Sequence, residues 1–173
     1  MKLLTSKNQL EKAFCQLLPK YEHVSFAVAW ASHGFPGYEQ LIQHRQKIAR
    51  GIVGIHFYQT HPTFIERFMQ DERVRFVKQP DGTFHPKGYL FYNSPSDWSC
   101  LLGSANFTRA AFNENSEACL RFAASDDDDS AIKRKLDETL KGYWKLAKSF
   151  KRGELDHYRL LWKAFRRKRK NVG

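Results

Sequence analysis

The sequence predicts an α/β fold in which a mixed β-sheet is flanked by helices. In the N-terminal half, short apolar runs typical of strands alternate with segments of helical periodicity. This order indicates a layered sandwich with a partly parallel sheet. After a turn over residues 79–82 the chain becomes rich in strand-like runs, and two helix-like segments follow them.

The first predicted helix starts at Ser6, because Ser6 and Gln9 have the spacing of a capping box and apolar residues follow at helical intervals. Pro19 is expected to end this helix. A strand over 24–30 follows, with large apolar side chains on one face and small ones on the other. The remaining elements of this half are a helix over 38–49, a strand over 51–57, a short helix over 62–69 and a strand over 73–78.

The second half is predicted to contain three strands and two helices. They span residues 84–92, 98–103 and 116–123 for the strands, and 130–150 and 153–170 for the helices. The last helix has an apolar stripe typical of a core or dimer contact, made of Leu155, Tyr158, Leu161, Trp162 and Phe165. We expect a catalytic core over 1–124 and a basic helical extension over 125–173, packed on or next to the same domain.

Composition favours a compact protein with a polyanionic partner. Hydrophobic residues make up 42% of the 173 residues and aromatic residues 14%, which excludes a disordered chain. The formal net charge of +11 favours nucleic acid as the partner, with an anionic membrane surface second.

The three cysteines are widely spaced, so neither a disulfide framework nor a zinc site is indicated. No segment approaches the length of a membrane span, and the start of the chain lacks a continuous apolar signal region. We therefore expect a cytoplasmic protein without a stable membrane insertion.

The segment around His85 and Lys87 gives the first chemical signal. On a strand, residues two apart project from the same face, so the imidazole and the ammonium group are expected side by side. That pair is unusual in a core strand but suits a site that binds an anion. The lysine should also favour the neutral imidazole, which can act as a nucleophile.

Two further segments supply polar groups suited to phosphate. An apolar strand runs into Gly-Ser-Ala-Asn-Phe-Thr, which ends at Thr108 and offers the donors of Ser104 and Asn106. The third segment, Asn-Ser-Glu, ends at Glu117 just before a predicted strand. A carboxylate there can accept a hydrogen bond from an imidazole and fix its tautomer.

In this order the three segments, which span roughly residues 84–120, resemble the phospholipase D superfamily, and within it the nucleases that carry a single His-x-Lys motif. The resemblance implies a phospholipase D-like layer sandwich and a phosphodiesterase. It implies that His85 is the nucleophile that forms a phosphohistidine, that Lys87 and Asn106 hold phosphoryl oxygens, that Ser104 assists and that Glu117 orients a histidine. The family pattern often has an acid five positions after the lysine. Here Tyr92 occupies that position, and Asp97 is a possible substitute.

The chain encodes the motif once, although the reaction uses two histidines, one to attack phosphorus and one to protonate the leaving oxygen. A two-fold homodimer with one composite site would supply the second. We further predict that substrate is bound by Asn115 and Thr108, and by Arg166, Arg167, Lys168 and Arg169 of the basic C-terminal run.

No metal or cofactor is predicted. The run Asp126–Asp129 is interpreted as a solvated connector at the positive end of the next helix, and His56 and His61 lack partners with metal-ligand spacing. The predicted function is a metal-independent phosphodiesterase, an endonuclease on DNA or RNA. The alternatives are a lipid phosphodiesterase of the phospholipase D type and a catalytically silent nucleic-acid-binding module.

Overall fold

The computed structural model describes residues 1–78, 81–127 and 131–170. Seven strands form one sheet in the order β1-β7-β6-β5-β2-β3-β4. The strands are β1 Lys2–Leu4, β2 His23–Val28, β3 Ile48–Gly54, β4 Val74–Val77, β5 Lys87–Tyr92, β6 Trp98–Gly103 and β7 Cys119–Ala123. The α-helices are α1 Lys7–Lys20, α2 Pro36–Gln43, α3 Pro62–Phe68, α4 Arg109–Asn113, α5 Ala131–Leu146 and α6 Arg152–Lys170.

The sheet is mixed, as the sequence predicts. Strands β2, β3 and β4 are parallel, while β5, β6, β7 and β1 each run antiparallel to a neighbour. The register pairs Val28 with Lys87 and Gly103 with Cys119. The C-terminal ends of β2, β3 and β6 and the N-terminal ends of β5 and β7 therefore lie along one edge of the sheet, which we call the site edge.

The larger core lies on the face of the sheet covered by α1 to α4. Its centre is a cluster of phenylalanine rings with centroids 5.3–5.6 Å apart, formed by Phe14, Phe91, Phe107 and Phe112. All four rings are fully buried. Each contributes about 1.5–3 kcal/mol from burial, and edge-to-face pairing adds roughly 0.5–1.5 kcal/mol per pair. The abundance of Phe in the sequence thus reflects this core.

The opposite face of the sheet is covered by α5. A second apolar cluster forms there from small and aliphatic strand residues, among them Ala27, Ile52 and Leu90, packed against Leu140 of the helix. Arg75 of β4 places its guanidinium group 4.2 Å from the ring of Trp144, which anchors the end of α5. The alternation of β2 therefore puts Phe26 in one cluster and Ala27 in the other.

Several boundaries differ from the sequence-based expectation. Pro19 lies inside the last turn of α1 rather than ending it. The helix expected over 38–49 is α2 followed by a short 3₁₀ turn, because β3 already begins at Ile48. Strand β1 and helix α4 have only three and five residues, too few to give a periodic pattern. The predicted turn at 79–82 lies partly outside the described residues.

The apolar stripe of α6 is covered in part, since Leu161, Trp162 and Phe165 are half-buried. Leu155 and Tyr158 are buried, and the Tyr158 hydroxyl donates to the carbonyl oxygen of Thr60 at 2.7 Å. Helix α6 packs against α3. Among the described helices, none has both the length and the hydropathy that a membrane crossing requires.

Candidate active site

The three motif segments meet at the site edge. His85 precedes β5, and Lys87 is the first residue of that strand. Ser104 and Asn106 follow the end of β6, and Glu117 precedes β7. Because β5, β6 and β7 are antiparallel neighbours, these strand ends are adjacent, and the structure brings together residues that are up to 32 positions apart in sequence.

His85 and Lys87 are in direct contact. Lys87 Nζ lies 2.6 Å from Nδ1 and 2.8 Å from Nε2 of His85, and it donates to the His85 carbonyl oxygen at 3.0 Å. The expectation that both residues lie on one strand was wrong. Strand β5 starts at Lys87, since Pro86 has no N–H for the ladder, and the lysine side chain reaches back to the histidine.

The charge states of this pair suit a nucleophile. Burial lowers the pKa of His85, and the positive charge of Lys87 lowers it further. Burial also lowers the pKa of Lys87, while Glu117 acts in the opposite direction. His85 is exposed and Lys87 half-buried, so the imidazole faces solvent with the cation behind it. A neutral imidazole beside a cation is the state needed to attack an anionic phosphodiester.

Ser104, Glu117 and Asn115 form a hydrogen-bonded group. The Ser104 hydroxyl donates to Glu117 Oε2, and Asn115 Nδ2 donates to Oε1 at 3.1 Å. The backbone N–H of Ala118 donates to Ser104 Oγ at 3.0 Å. Within the chain the carboxylate is thus held by Ser104 and Asn115 rather than by His85. Its predicted role toward a histidine, and the substrate-binding role of Asn115, stay predictions.

Asn106 and Thr108 hold the loop after β6. Asn106 Oδ1 accepts from the backbone N–H of Trp30 at 3.2 Å, which leaves its Nδ2 group as the donor for a ligand. Thr108 is the N-cap of α4 and accepts from the N–H of Ala111 at 3.2 Å. The oxygen predicted to bind substrate therefore has a structural hydrogen bond.

Asp97, the possible substitute for the family acid, is not at the site. It lies in the β5–β6 turn at the opposite edge of the sheet, where Asp97 Oδ2 accepts from Asn93 Nδ2 at 2.7 Å. The site edge is built without it.

Two residues at the site edge were not predicted. The ring of Trp30 meets that of His85 edge-on with centroids 5.3 Å apart, and the ring of His56 lies 6.0 Å from Trp30. Burial lowers the pKa of His56, and the nearby His85 lowers it further. Trp30 and His56 follow β2 and β3, two parallel strands that end at the same edge. Recognising that register would have placed both beside His85.

The basic end of α6 reaches the loop that follows β3. The His61 ring lies 4.7 Å from that of Trp162, and the Arg166 guanidinium stacks 4.9 Å from the same Trp162 ring. Arg166, Arg167 and Lys168 are exposed. The side chains of Arg169 and Lys170 lie outside the described part of the chain.

The described aspartates of the acidic run have structural partners. Asp126 pairs with the N-terminal ammonium group and accepts from the N–H of Ala123 at 2.9 Å. Asp127 accepts from the N–H groups of Ile132 and Lys133, both at 3.2 Å, and so caps the first turn of α5. Asp128 and Asp129 lie outside the described residues. Within the described ranges, no three or more His, Cys, Asp or Glu side chains are grouped to hold a metal ion.

The sequence matches no family model and no curated protein. The structure is similar to NucT from Helicobacter pylori, with a TM-score of 0.59, 15% identity, and coverage of 86% of this chain and 98% of NucT. It is also similar to Nuc from Salmonella typhimurium, described as a phospholipase D family member, with a TM-score of 0.58, 11% identity, and coverage of 87% and 98%.

A third similar structure is the phosphatidylserine synthase of Haemophilus influenzae Rd KW20. Its TM-score is 0.61 and its identity 16%, and the match covers 97% of this chain and 44% of the synthase. The matches to NucT and Nuc therefore span nearly the whole of those chains, and the match to the synthase spans less than half of it. The chain has the fold of the phospholipase D superfamily.

Proposed function

We propose that this chain is a phosphodiesterase, specifically an endonuclease that cleaves DNA or RNA through a phosphohistidine on His85. The observation that carries the proposal is the contact of His85 with Lys87, 2.6 Å from Nδ1 to Nζ, at the edge where Ser104, Asn106 and Glu117 also lie. A nucleophile, a cation and neutral donors within one small area are what phosphoryl transfer requires.

The fold and the charge support nucleic acid as the substrate. Nearly the whole length of NucT and Nuc is matched, and the net charge of +11 favours a polyanion. A lipid substrate would favour an exposed apolar face for the membrane. Helix α6 offers such a face only in part, because Leu155 and Tyr158 of its apolar stripe are buried while Leu161, Trp162 and Phe165 are half-buried. The matched length of NucT and Nuc and the net charge therefore favour nuclease activity over a lipid phosphodiesterase.

In the proposed reaction a neutral ring nitrogen of His85 attacks phosphorus. The new P–N bond replaces the P–O bond to one sugar, and a second, protonated histidine gives its proton to the leaving oxygen. Water then attacks the phosphohistidine, the now neutral second histidine removes its proton, and His85 leaves with the bonding pair. Lys87 and the Nδ2 group of Asn106 bind the phosphoryl oxygens throughout, so no metal is required.

The second histidine is proposed to be the same residue of another copy. The sequence contains one His-x-Lys followed by Gly-Ser-x-Asn, and only an isologous two-fold contact brings the same residue of two chains to one point. His85 is exposed at the site edge, where such a contact can reach it. The proposed enzyme is thus a homodimer with one composite site.

The proposal is tested by incubating wild type and His85→Ala with DNA, RNA and phospholipid vesicles in the presence of chelator. His23→Ala is the matched control, because His23 is an exposed histidine at the opposite end of β2. We expect wild type and His23→Ala to cleave a nucleic acid, and His85→Ala to keep less than a few per cent of that rate. Cleavage of lipid alone would establish the lipid enzyme. Nucleic-acid binding without any cleavage would establish the silent module.

A further inference from the structure

Three buried nitrogen atoms stand next to the candidate nucleophile. Among the described residues, neither the indole Nε1 of Trp30 nor either ring nitrogen of His56 has a hydrogen-bond partner, and all three atoms are buried. A buried polar group without a partner destabilises the folded state, because it has lost its hydrogen bonds to water. Three such atoms in two neighbouring rings should lower the stability of the folded protein. Native proteins tolerate unpartnered buried groups mainly where a ligand or water completes their hydrogen bonds.

The position of these atoms indicates the kind of ligand. The Trp30 ring lies 5.3 Å from that of His85 and 6.0 Å from that of His56, so the tryptophan is a neighbour of both histidines. An indole nitrogen only donates, and a neutral imidazole has one N–H. The two rings therefore offer two N–H donors, and the ammonium group of Lys87 also contacts His85. Donors beside a cation suit an oxygen that carries negative charge.

We propose that Trp30 and His56 form an oxyanion subsite, in which their N–H groups bind a non-bridging oxygen of the phosphoryl group held at His85. The identity of that phosphoryl group rests on the proposed function, but the subsite itself is defined by the two N–H donors of Trp30 and His56, and inorganic phosphate serves as its probe. The two donors would act together with Lys87 and Asn106. All four groups would stabilise the phosphoryl oxygens, which gain negative charge as the reaction proceeds.

Two exposed side chains lie beside the subsite. His85 lies against Trp30, and the Phe57 ring lies 4.9 Å from His56 although 53% of Phe57 is exposed. Exposed side chains change rotamer within nanoseconds, and the proposed binding requires that such movements give the phosphoryl oxygen access to the nitrogens. His56 and Phe57 line an open groove with a volume of about 1060 Å³, and His85 lines a neighbouring groove of about 500 Å³.

The backbone next to His56 is strained. Phe57 and Tyr58 have φ angles of 57° and 51°, the left-handed region that non-glycine residues rarely occupy. Such residues persist where the surrounding structure requires them, often at ligand clamps. Here Phe57 lies edge-on to His56, and both residues line the groove. This second observation points to the same spot as the three nitrogens.

The chain offers a matched control in Trp98. Its indole nitrogen is also buried without a partner among the described residues, but it lies at the opposite end of β6, in the apolar cluster under α5. Substituting Trp98 removes a buried indole N–H without touching the site edge. Comparison of Trp30→Phe with Trp98→Phe therefore separates loss of the subsite from loss of an indole as such.

The first test needs no catalysis. Inorganic phosphate is titrated into ¹⁵N-labelled wild-type protein while the indole ¹H–¹⁵N resonances are followed, and the resonance that disappears in Trp30→Phe is that of Trp30. We expect a saturable shift of the Trp30 resonance and none at Trp98, and a His56→Ala variant should bind phosphate about tenfold more weakly. No shift at Trp30, or an equal shift at Trp98, would overturn the subsite. The titration is made on wild type, and Trp30→Phe and Trp98→Phe serve there only to assign the two resonances.

The second test measures turnover on the nucleic acid that wild type cleaves. Trp30→Phe keeps a ring against His85 and loses only the donor, so kcat should fall about 100-fold, the effect of removing one oxyanion donor, while KM changes little. Trp98→Phe should retain the wild-type kcat. A Trp30 shift without nuclease activity would support the subsite and refute the nuclease. Unchanged kcat in Trp30→Phe with no phosphate shift would refute the subsite and leave the nuclease standing.

Discussion

Lys87 folds back over Pro86 so that its ammonium group rests against the imidazole of His85, 2.6 Å from Nδ1. The cation and the burial of the ring together hold the pKa of His85 below its ordinary value. The histidine is therefore neutral, and able to attack phosphorus, over a wider range of pH than a free histidine. Substitution of Lys87 should therefore change both the pKa of His85 and the rate of cleavage.

Lys87→Met should raise the pKa of His85, because the positive charge that disfavours the imidazolium is removed. In wild type, activity falls as the pH drops through the lowered pKa of His85 and the nucleophile gains a proton. The acidic limb of the pH–rate profile should therefore move to higher pH in Lys87→Met, together with a fall in kcat because the lysine no longer binds the phosphate. A titration of the His85 ring by NMR gives the same pKa without turnover. An acidic limb that does not move would show that Lys87 does not control the charge of His85.

The folded protein is expected to lose stability in acid because of His61. Burial, His33 and Arg166 lower its pKa to about 4, and His61 Nδ1 accepts the N–H of Thr63 at 3.1 Å as the N-cap of α3. Between the unfolded pKa near 6.5 and about 4, the unfolded chain binds a proton that the folded chain does not. Stability should therefore fall as the pH drops through this window. His61→Asn keeps a capping oxygen that does not titrate, so the melting temperature should depend less on pH there. If the melting temperature of His61→Asn depends on pH as strongly as that of wild type, other groups cause the loss of stability in acid.

The basic end of α6 is predicted to bind phosphates without regard to base sequence. Neutralising Arg166, Arg167 and Lys168, with Arg169 and Lys170 beyond them, should weaken binding by a similar factor for unrelated sequences. The slope of log K against log salt should become shallower by about 0.9 for each duplex phosphate that the variant no longer neutralises. Fluorescence anisotropy at several salt concentrations measures this. If the slope does not change, the basic end of α6 does not contact phosphates, and it serves solubility or binds a protein partner instead.

Subunit mixing distinguishes a shared site from two separate sites. Wild-type chain is refolded with an equal amount of His85→Ala chain, so that subunits pair at random. If both histidines are needed, total activity should be roughly a quarter of that of wild type alone at the same total chain concentration, since only wild-type pairs work. Independent sites would leave roughly half by the same pairing count. A fully active monomer, checked by sedimentation at the assay concentration, would also contradict the composite site.

Activity is expected to survive chelation. In the proposed mechanism, Lys87, Asn106 and their copies in a second subunit supply the charge and donors that a metal otherwise provides. Wild type assayed after dialysis against EDTA should keep its rate within about twofold, an allowance for the changed ionic strength. If chelation abolishes activity and a divalent ion restores it, a metal site at Asp126–Asp129 or at His56 and His61 must be considered.

The sequence was informative about the sheet and the motif and less so about their surroundings. Strand β6 was predicted at its observed bounds, because a short, mostly apolar run with turn residues on both sides has few other interpretations. The pairing of His85 with Lys87 was predicted for the wrong reason, a shared strand, when Pro86 in fact ends the ladder between them. Pro86 is visible in the sequence, and its missing N–H was the available signal that the strand begins only after it.

Trp30 and His56 could not be recognised from local pattern because their proximity depends on the register of strands far apart in sequence. Residues 30 and 56 meet only because β2 and β3 are parallel and end together. The hydrogen bonds of Glu117 likewise depend on how β6 pairs with β7. Tertiary pairing of this kind has no signature in periodicity, whereas a capping box such as Ser6 with Gln9 does.

The outer side of β4 bears on how two copies can associate. There Phe76 and Lys148 exchange backbone hydrogen bonds of 2.8 and 3.0 Å, so the segment joining α5 to α6 closes this border of the sheet. The opposite border is β1, only three residues long. Within the described residues a second molecule thus finds no long open strand on which to continue the sheet, which discourages runaway strand-to-strand polymerisation. The proposed homodimer is therefore expected to form through contacts between side chains, which suit a closed pair with a defined stoichiometry.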